Sequence, residues 1–163
     1  MKAEHGNVAL QRAISRAESL LPGRPAKRGK RDPRWLAISR VGKFIESHPQ
    51  EVCDFAIRWM KRGRGFDLPA ALHCCLVEHL LEHHFDVVLP IFRQAALTNA
   101  RVAEYFYPYS PNFKFGQAEL PKNVARQKRL ARELERVHAA RRRKTPKVGG
   151  KKQKTAARSS RRS

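Results

Sequence analysis

Cys75, His79 and His83 recur at i, i+4 and i+8 in the stretch HCCLVEHLLEHH. On a helix the three fall within roughly 80° of one another, near enough to share one metal ion. Glu82 could add an oxygen. Three protein ligands and an open position would be a catalytic zinc pattern, and a small metal-dependent enzyme is the reading that it suggests. Against it, no HExxH or paired-cysteine motif accompanies the set, and a single straight helix rarely supplies a whole coordination sphere. We therefore read His73, His79, His83 and His84 as structural histidines satisfied within the core. No metal, cofactor or catalytic residue is expected, and the protein is expected not to be an enzyme.

The second group that could do chemistry is cationic. The chain carries 35 Lys/Arg against 14 Asp/Glu, a formal charge of +21. Residues 35–118 are nearly neutral at +1, whereas residues 1–34 carry +6 and residues 119–163 carry +14. Each Lys or Arg placed on a phosphate releases condensed counterions, so such segments bind polyanions without reading sequence. The candidates in the C-terminal part are Arg126, Lys128, Arg129, Arg132, Arg141, Arg142, Arg143, Lys144, Lys151, Lys152, Lys154, Arg158, Arg161 and Arg162. Lys27, Arg28, Lys30 and Arg31 are their counterparts near the N-terminus. A solvated face would mix both signs, and residues 145–163 carry one. The expected partner is nucleic acid or another polyanion.

A third group is aromatic. Tyr105, Phe106, Tyr107, Tyr109, Phe113 and Phe115 crowd a proline-rich stretch. Unpaired bases stack on such rings. The favoured account is instead an ordered loop packed inward as a cap on the end of the domain.

The elements that must position these residues are all helical. The central one spans FDLPAALHCCLVEHLLEHHFDVVL, with Asp67 as N-cap and Pro69 in the first turn. Setting Leu76 at zero, Leu72, Cys74, Val77, Leu80 and Leu81 fill an arc of roughly 200°, wide enough to need neighbours on two sides. Asp86 is expected to cap the helix that comes after a tight turn.

Ahead of this helix, residues 7–21 form an amphipathic helix capped by Asn7, with a stripe of Val8, Ala13, Ile14, Ala17, Leu20 and Leu21. PGRPAKRGKR reads as a flexible basic linker. Asp32-Pro33 opens a helix burying Trp35, Ile38, Val41, Phe44 and Ile45, and residues 49–62 bury Val52, Phe55, Ala56, Trp59 and Met60. Beyond the central helix, Val88, Leu89, Phe92, Ala96 and Leu97 continue the core, and Thr98-Asn99 bends or restarts the chain. Residues 119–144 form a basic helix with a thin stripe at Leu120, Val124, Leu130, Leu134 and Val137. Residues 145–163 lack the apolar content to offset chain entropy and are expected to be disordered. The organisation is thus 1–31, helix and basic linker; 32–118, helical core; 119–144, basic helix; and 145–163, tail.

Sliding the chain by 36 positions places Leu36 on Leu72, Val41 on Val77, Phe44 on Leu80, Ile45 on Leu81, Glu46 on Glu82, His48 on His84 and Val52 on Val88. A period of this size built from helix pairs is the sign of an α-solenoid, in which pairs stack because one cannot bury its own apolar face. These units resemble HEAT-like repeats. DPRWLAISRVGKFIESHP and CCLVEHLLEHHFD are similar to small bacterial helical-repeat proteins, over about residues 7–107. The resemblance implies an all-α array of about six helices whose surface binds protein or nucleic acid. One branch of that fold is similar to DNA-alkylation repair enzymes, and no catalytic motif of that branch falls on this chain.

Three cysteines, two adjacent, make no disulfide framework, and the N-terminal stretch has charges throughout rather than a signal-peptide apolar run. No run approaches the ~20 apolar residues of a membrane span. A cytoplasmic protein is expected: a non-enzymatic helical scaffold with nucleic-acid-binding arms. A protein-interaction adaptor whose tail is incidental is the alternative.

Overall fold

The computed structural model describes residues 2–27, 30–63, 67–109 and 121–144. It is all-α. The helices are α1 (Lys2–Leu20), α2 (Pro33–Gly42), α3 (Pro49–Arg62), α4 (Asp67–Leu72), α5 (Glu78–Thr98), α6 (Ala100–Tyr109) and α7 (Pro121–Lys144). A π turn, His73–Val77, joins α4 to α5, so that Asp67–Thr98 is a continuous rod kinked at His84.

Every other helix except α1 packs on that rod. α2 lies on its π turn, α3 along α4, the π turn and α5, and α6 and α7 on α5; α1 closes the stack by packing on α2. Leu72, Leu76, Val77, Leu80, Leu81, Phe85, Val88, Leu89 and Phe92 form its buried spine. The expected wide apolar arc is present, but the π turn rotates part of it. A π turn carries more residues per turn than an α-helix and shifts the phase of the residues after it. Consequently His73 is fully buried while Cys74, placed in the arc from sequence, is exposed and Cys75 is half-buried.

The break expected near Asp86 falls at His84, where the backbone leaves the helical region (φ −130°, ψ 36°). Asp86 caps nothing and lies exposed on the next turn. Pro90 then leaves the Asp86 carbonyl without its usual intrahelical donor. Thirty-six residues earlier, His48 stands at the corner between α2 and α3 with φ −141° and ψ 56°. The buried pairs Val41/Val77, Ile45/Leu81 and Val52/Val88 keep the same spacing. Leu36 departs from it, being 46 % exposed where Leu72 is buried.

α1 begins earlier than expected, at Lys2, so Asn7 lies inside the helix rather than capping it. Its buried stripe is Leu10, Ile14, Ala17 and Leu21, at i, i+4, i+7 and i+11. Val8, assigned to the stripe from sequence, is 52 % exposed. α3 buries all five residues expected of it. Its C-terminal carbonyls accept from Arg101 of α6, which donates to the Lys61 and Gly63 oxygens at 3.3 and 3.4 Å. Asn99 restarts the chain as the cap of α6, its Oδ1 accepting from the Arg101 and Val102 amides at 3.0 and 3.3 Å.

The basic linker is tied down where it is described. Asp32 caps α2 by accepting from the Arg34 amide at 2.8 Å, and its other oxygen accepts from the Ala26 amide at 3.1 Å. The Arg34 guanidinium is buried and pairs with Asp32 at 2.6 Å and with Asp67 of α4. Hydrogen bonding from Arg34 lowers the Asp32 carboxyl from 3.8 to about 2, against the opposing effect of burial.

This packing has two measurable outcomes. Leu76→Ala and Leu80→Ala should each cost ~2–5 kcal/mol in chemical denaturation, whereas Leu36→Ala should stay within ~0.5 kcal/mol. A depressed carboxyl contributes stability that is complete above its unfolded pKa and is lost as pH falls through its folded one. Stability should therefore decline between pH 3.8 and about 2 partly through Asp32. Arg34→Gln should flatten that limb of the pH–stability curve.

Candidate nucleic-acid interface and histidine cleft

α7 reads as a charged helix with a thin apolar stripe, and the stripe decides where it goes. Leu130, Leu134 and Val137 are buried against the core, on α5 and α6. Val124, assigned to the stripe, is exposed, and Leu120 lies outside the described residues. The helix is therefore docked on the domain rather than held away from it as an arm.

Its arginines divide into two kinds. Arg126 donates to the Glu82 carbonyl at 3.3 Å, and its guanidinium lies 5.6 Å from the centre of the Phe85 ring. Arg129 pairs with Asp86 at 2.5 Å and shares the same ring, also at 5.6 Å. Arg141 donates to the Ala96 carbonyl at 3.4 Å. Glu133, mostly buried, receives Arg93 of α5 at 3.4 Å and Arg136 at 2.9 Å. These contacts fasten α7 to α5. Guanidinium suits the task because it stacks on a ring face while its edge hydrogen-bonds. Arg126, Arg129 and Arg141, read from sequence as phosphate ligands, thus already have docking roles.

Lys128, Arg132 and Arg143 are exposed on the same helix. Arg132 donates to the Lys128 carbonyl one turn back, at 3.3 Å. Lys27, Lys30 and Arg31 are exposed in the α1–α2 connection. That connection belongs to the α1–α2 end of the stack, whereas α7 rests on α5 and α6. Arg28, Lys151, Lys152, Lys154, Arg158, Arg161 and Arg162 lie outside the described residues, as do the side chains of Arg142 and Lys144. So do the rings of the aromatic segment, whose helical backbone is described as far as Tyr109.

The histidines are not the core set expected from sequence. His73 is the buried one. Although the Glu78 carboxylate lies 3.3 Å from its Nδ1, burial dominates and lowers its pKa to about 4, so the ring is neutral. His79 and His83 are exposed, because they sit on the side of α5 opposite the buried Leu81 and Phe85. They face a cleft of about 400 Å³ between the end of α2 and the π turn, lined also by Ser39, Lys43, Glu46 and Cys75. Gly42 lets the two elements approach: a Cβ there would stand 3.1 Å from the Cys75 carbonyl oxygen.

One ligand-type atom each of His79, Glu82 and His83 lie within 4.8 Å of one another. Cys75 lines the cleft but is not part of that group; its neighbour in space is Ser39, whose hydroxyl lies 3.7 Å from the sulfur. Glu46, unassigned from sequence, has its carboxylate 2.8 Å from His83 Nδ1 and 3.8 Å from His84 Nε2. Its signal was present in the 36-residue offset, which pairs Glu46 with Glu82. The Cys53 thiol is pushed up by burial, and the Cys74 thiol by partial desolvation of its sulfur and by Glu78 and Cys75. Neither is set up as a thiolate nucleophile.

No protein-family model matches this chain, and no curated protein and no solved structure matches it. Among the described residues, no helix is long and apolar enough to cross a membrane.

Docking of α7 has a direct consequence. Leu134→Ala should destabilise the fold by ~2–5 kcal/mol in denaturant titration, as for any core leucine. Arg132→Ala, on the open side of the same helix, should stay within ~0.5 kcal/mol. Were α7 an independent arm, both substitutions would be silent.

Proposed function

We propose that the protein is a non-enzymatic, HEAT-like helical scaffold that binds nucleic acid through its basic C-terminal segment, with no preference for sequence. The observation that carries this reading is the separation of charge. Residues 35–118 hold +1 and residues 119–163 hold +14, and the latter segment is anchored to the domain at α7. A polyanion meeting that surface gains counterion release without the domain itself being strongly charged. Lys128, Arg132 and Arg143 would contribute from α7, and the lysines and arginines beyond Lys144 would contribute most. The scaffold part of the reading is supported by the 36-residue offset and by the shared backbone geometry at His48 and His84.

Helix α7 contributes to the core through Val137 and through Arg141, so the informative truncation is a chain ending at Lys144. It removes seven Lys/Arg and no acid. Binding of both forms to two unrelated duplexes and one single strand should be measured over a range of salt. For the full chain, log K should fall linearly with log salt, by ~0.9 per phosphate neutralised on duplex DNA, and the two duplexes should bind alike. The truncated form should bind more weakly with a shallower slope and an unchanged melting temperature. Equal affinity and equal slope for the two forms would rule out the C-terminal segment as the binding site.

A further inference from the structure

The cluster of His79, Glu82 and His83 on α5 takes no part in the proposed nucleic-acid binding. We propose that His79, His83 and Glu82 bind one divalent transition-metal ion of the Zn²⁺ class, with Glu46 orienting His83 across the cleft. Residues at i and i+4 are neighbours on a helix face, so the His79/His83 pair needs no rearrangement of backbone to meet one ion. Tetrahedral zinc with ligands at ~2.0–2.2 Å holds its donor atoms roughly 3.3 Å apart. The three candidate donors already lie within 4.8 Å, and two of the three side chains are exposed, so closing the difference takes only side-chain rotation.

The second observation is independent of that spacing. His83 Nδ1 is 2.8 Å from a Glu46 oxygen. A metal-ligating imidazole characteristically donates its other ring N–H to a carboxylate, which fixes the tautomer and raises the basicity of the coordinating nitrogen. A turn of the His83 ring that points Nδ1–H at the neighbouring Glu46 carboxylate leaves Nε2 for the metal. Glu46 comes from the turn after α2, so the cluster acquires the second element that one helix lacks. Two imidazoles and a carboxylate are a borderline-to-hard donor set that suits zinc, and two carboxylates offset the charge of the ion. Three protein ligands leave a position open to water or to a partner's donor. Loading would tie the corner between α2 and α3 to α5.

The test uses the full chain, purified metal-free, and Zn²⁺ delivered in competition with a chromophoric chelator, with Co²⁺ as a spectroscopic substitute. We expect one equivalent of Zn²⁺ per chain, a rise in melting temperature on loading, and the visible absorption of four-coordinate Co²⁺. His79→Ala and His83→Ala should each weaken Zn²⁺ binding at least tenfold. Glu46→Gln should weaken it by roughly 10–100-fold, as loss of a carboxylate that orients a ligand histidine does. Cys75→Ser should leave it unchanged. The substituted histidines and Glu46 are exposed, so the metal-free variants should melt with the parent chain. Binding that survives in the His79→Ala/His83→Ala double variant would place the ion elsewhere and overturn the proposal. Loss of binding in Cys75→Ser would overturn the donor set.

Discussion

Burial of the Asp67–Thr98 rod on more than one side is the constraint on which the rest of the structure depends. A helix with one apolar face can lie on a surface, but this one must be surrounded, and α2, α3, α6 and α7 supply the cover. Two irregularities make a single rod serve four neighbours. The π turn re-phases the spine between Leu72 and Leu80, placing His73 inside and Cys74 outside. The break at His84 redirects the second half, whose buried residues are Val88, Leu89, Phe92 and Ala96. The π turn also shapes the cleft, because it precedes His79 and His83 and sets the phase at which they leave it.

Periodicity and punctuation were enough to read the elements. Asp32-Pro33, Pro49, Gly63 and Asn99 mark helix ends in the sequence and mark them in the fold, and α3 buries the five residues its pattern names. The misreadings in the central helix have one cause, which is that a helical wheel assumes a constant turn. It put Cys74 in the core and the histidines beside it because it cannot register an extra residue in a π turn. It also favoured Val8 over Leu10, since α1 starts several residues before Asn7 and the burying face is chosen by α2, not by α1 alone. Long-range ion pairs were invisible for a different reason. Arg34 with Asp67, Arg129 with Asp86 and Glu46 with His83 join residues 33 to 43 positions apart, and no local pattern distinguishes a paired charge from a solvated one.

α7 shows how one helix can hold both structural and free charge. Its docking rests first on Leu130, Leu134 and Val137, whose burial does not weaken with ionic strength, and second on guanidinium contacts to Phe85, to backbone carbonyls and to Asp86 and Glu133. Apolar contact and stacking are screened far less than a contact between exposed charges in water. Among the described residues, Lys128, Arg132 and Arg143 make no contact that fastens α7 to another helix, and any phosphate they hold is held by screened attraction. Raising salt should therefore release a bound polyanion well before it undocks the helix. This division separates the protein's affinity for a partner from the stability of its own fold. It also explains why arginine rather than lysine faces Phe85: an ammonium would supply charge without the planar face that packs on a ring.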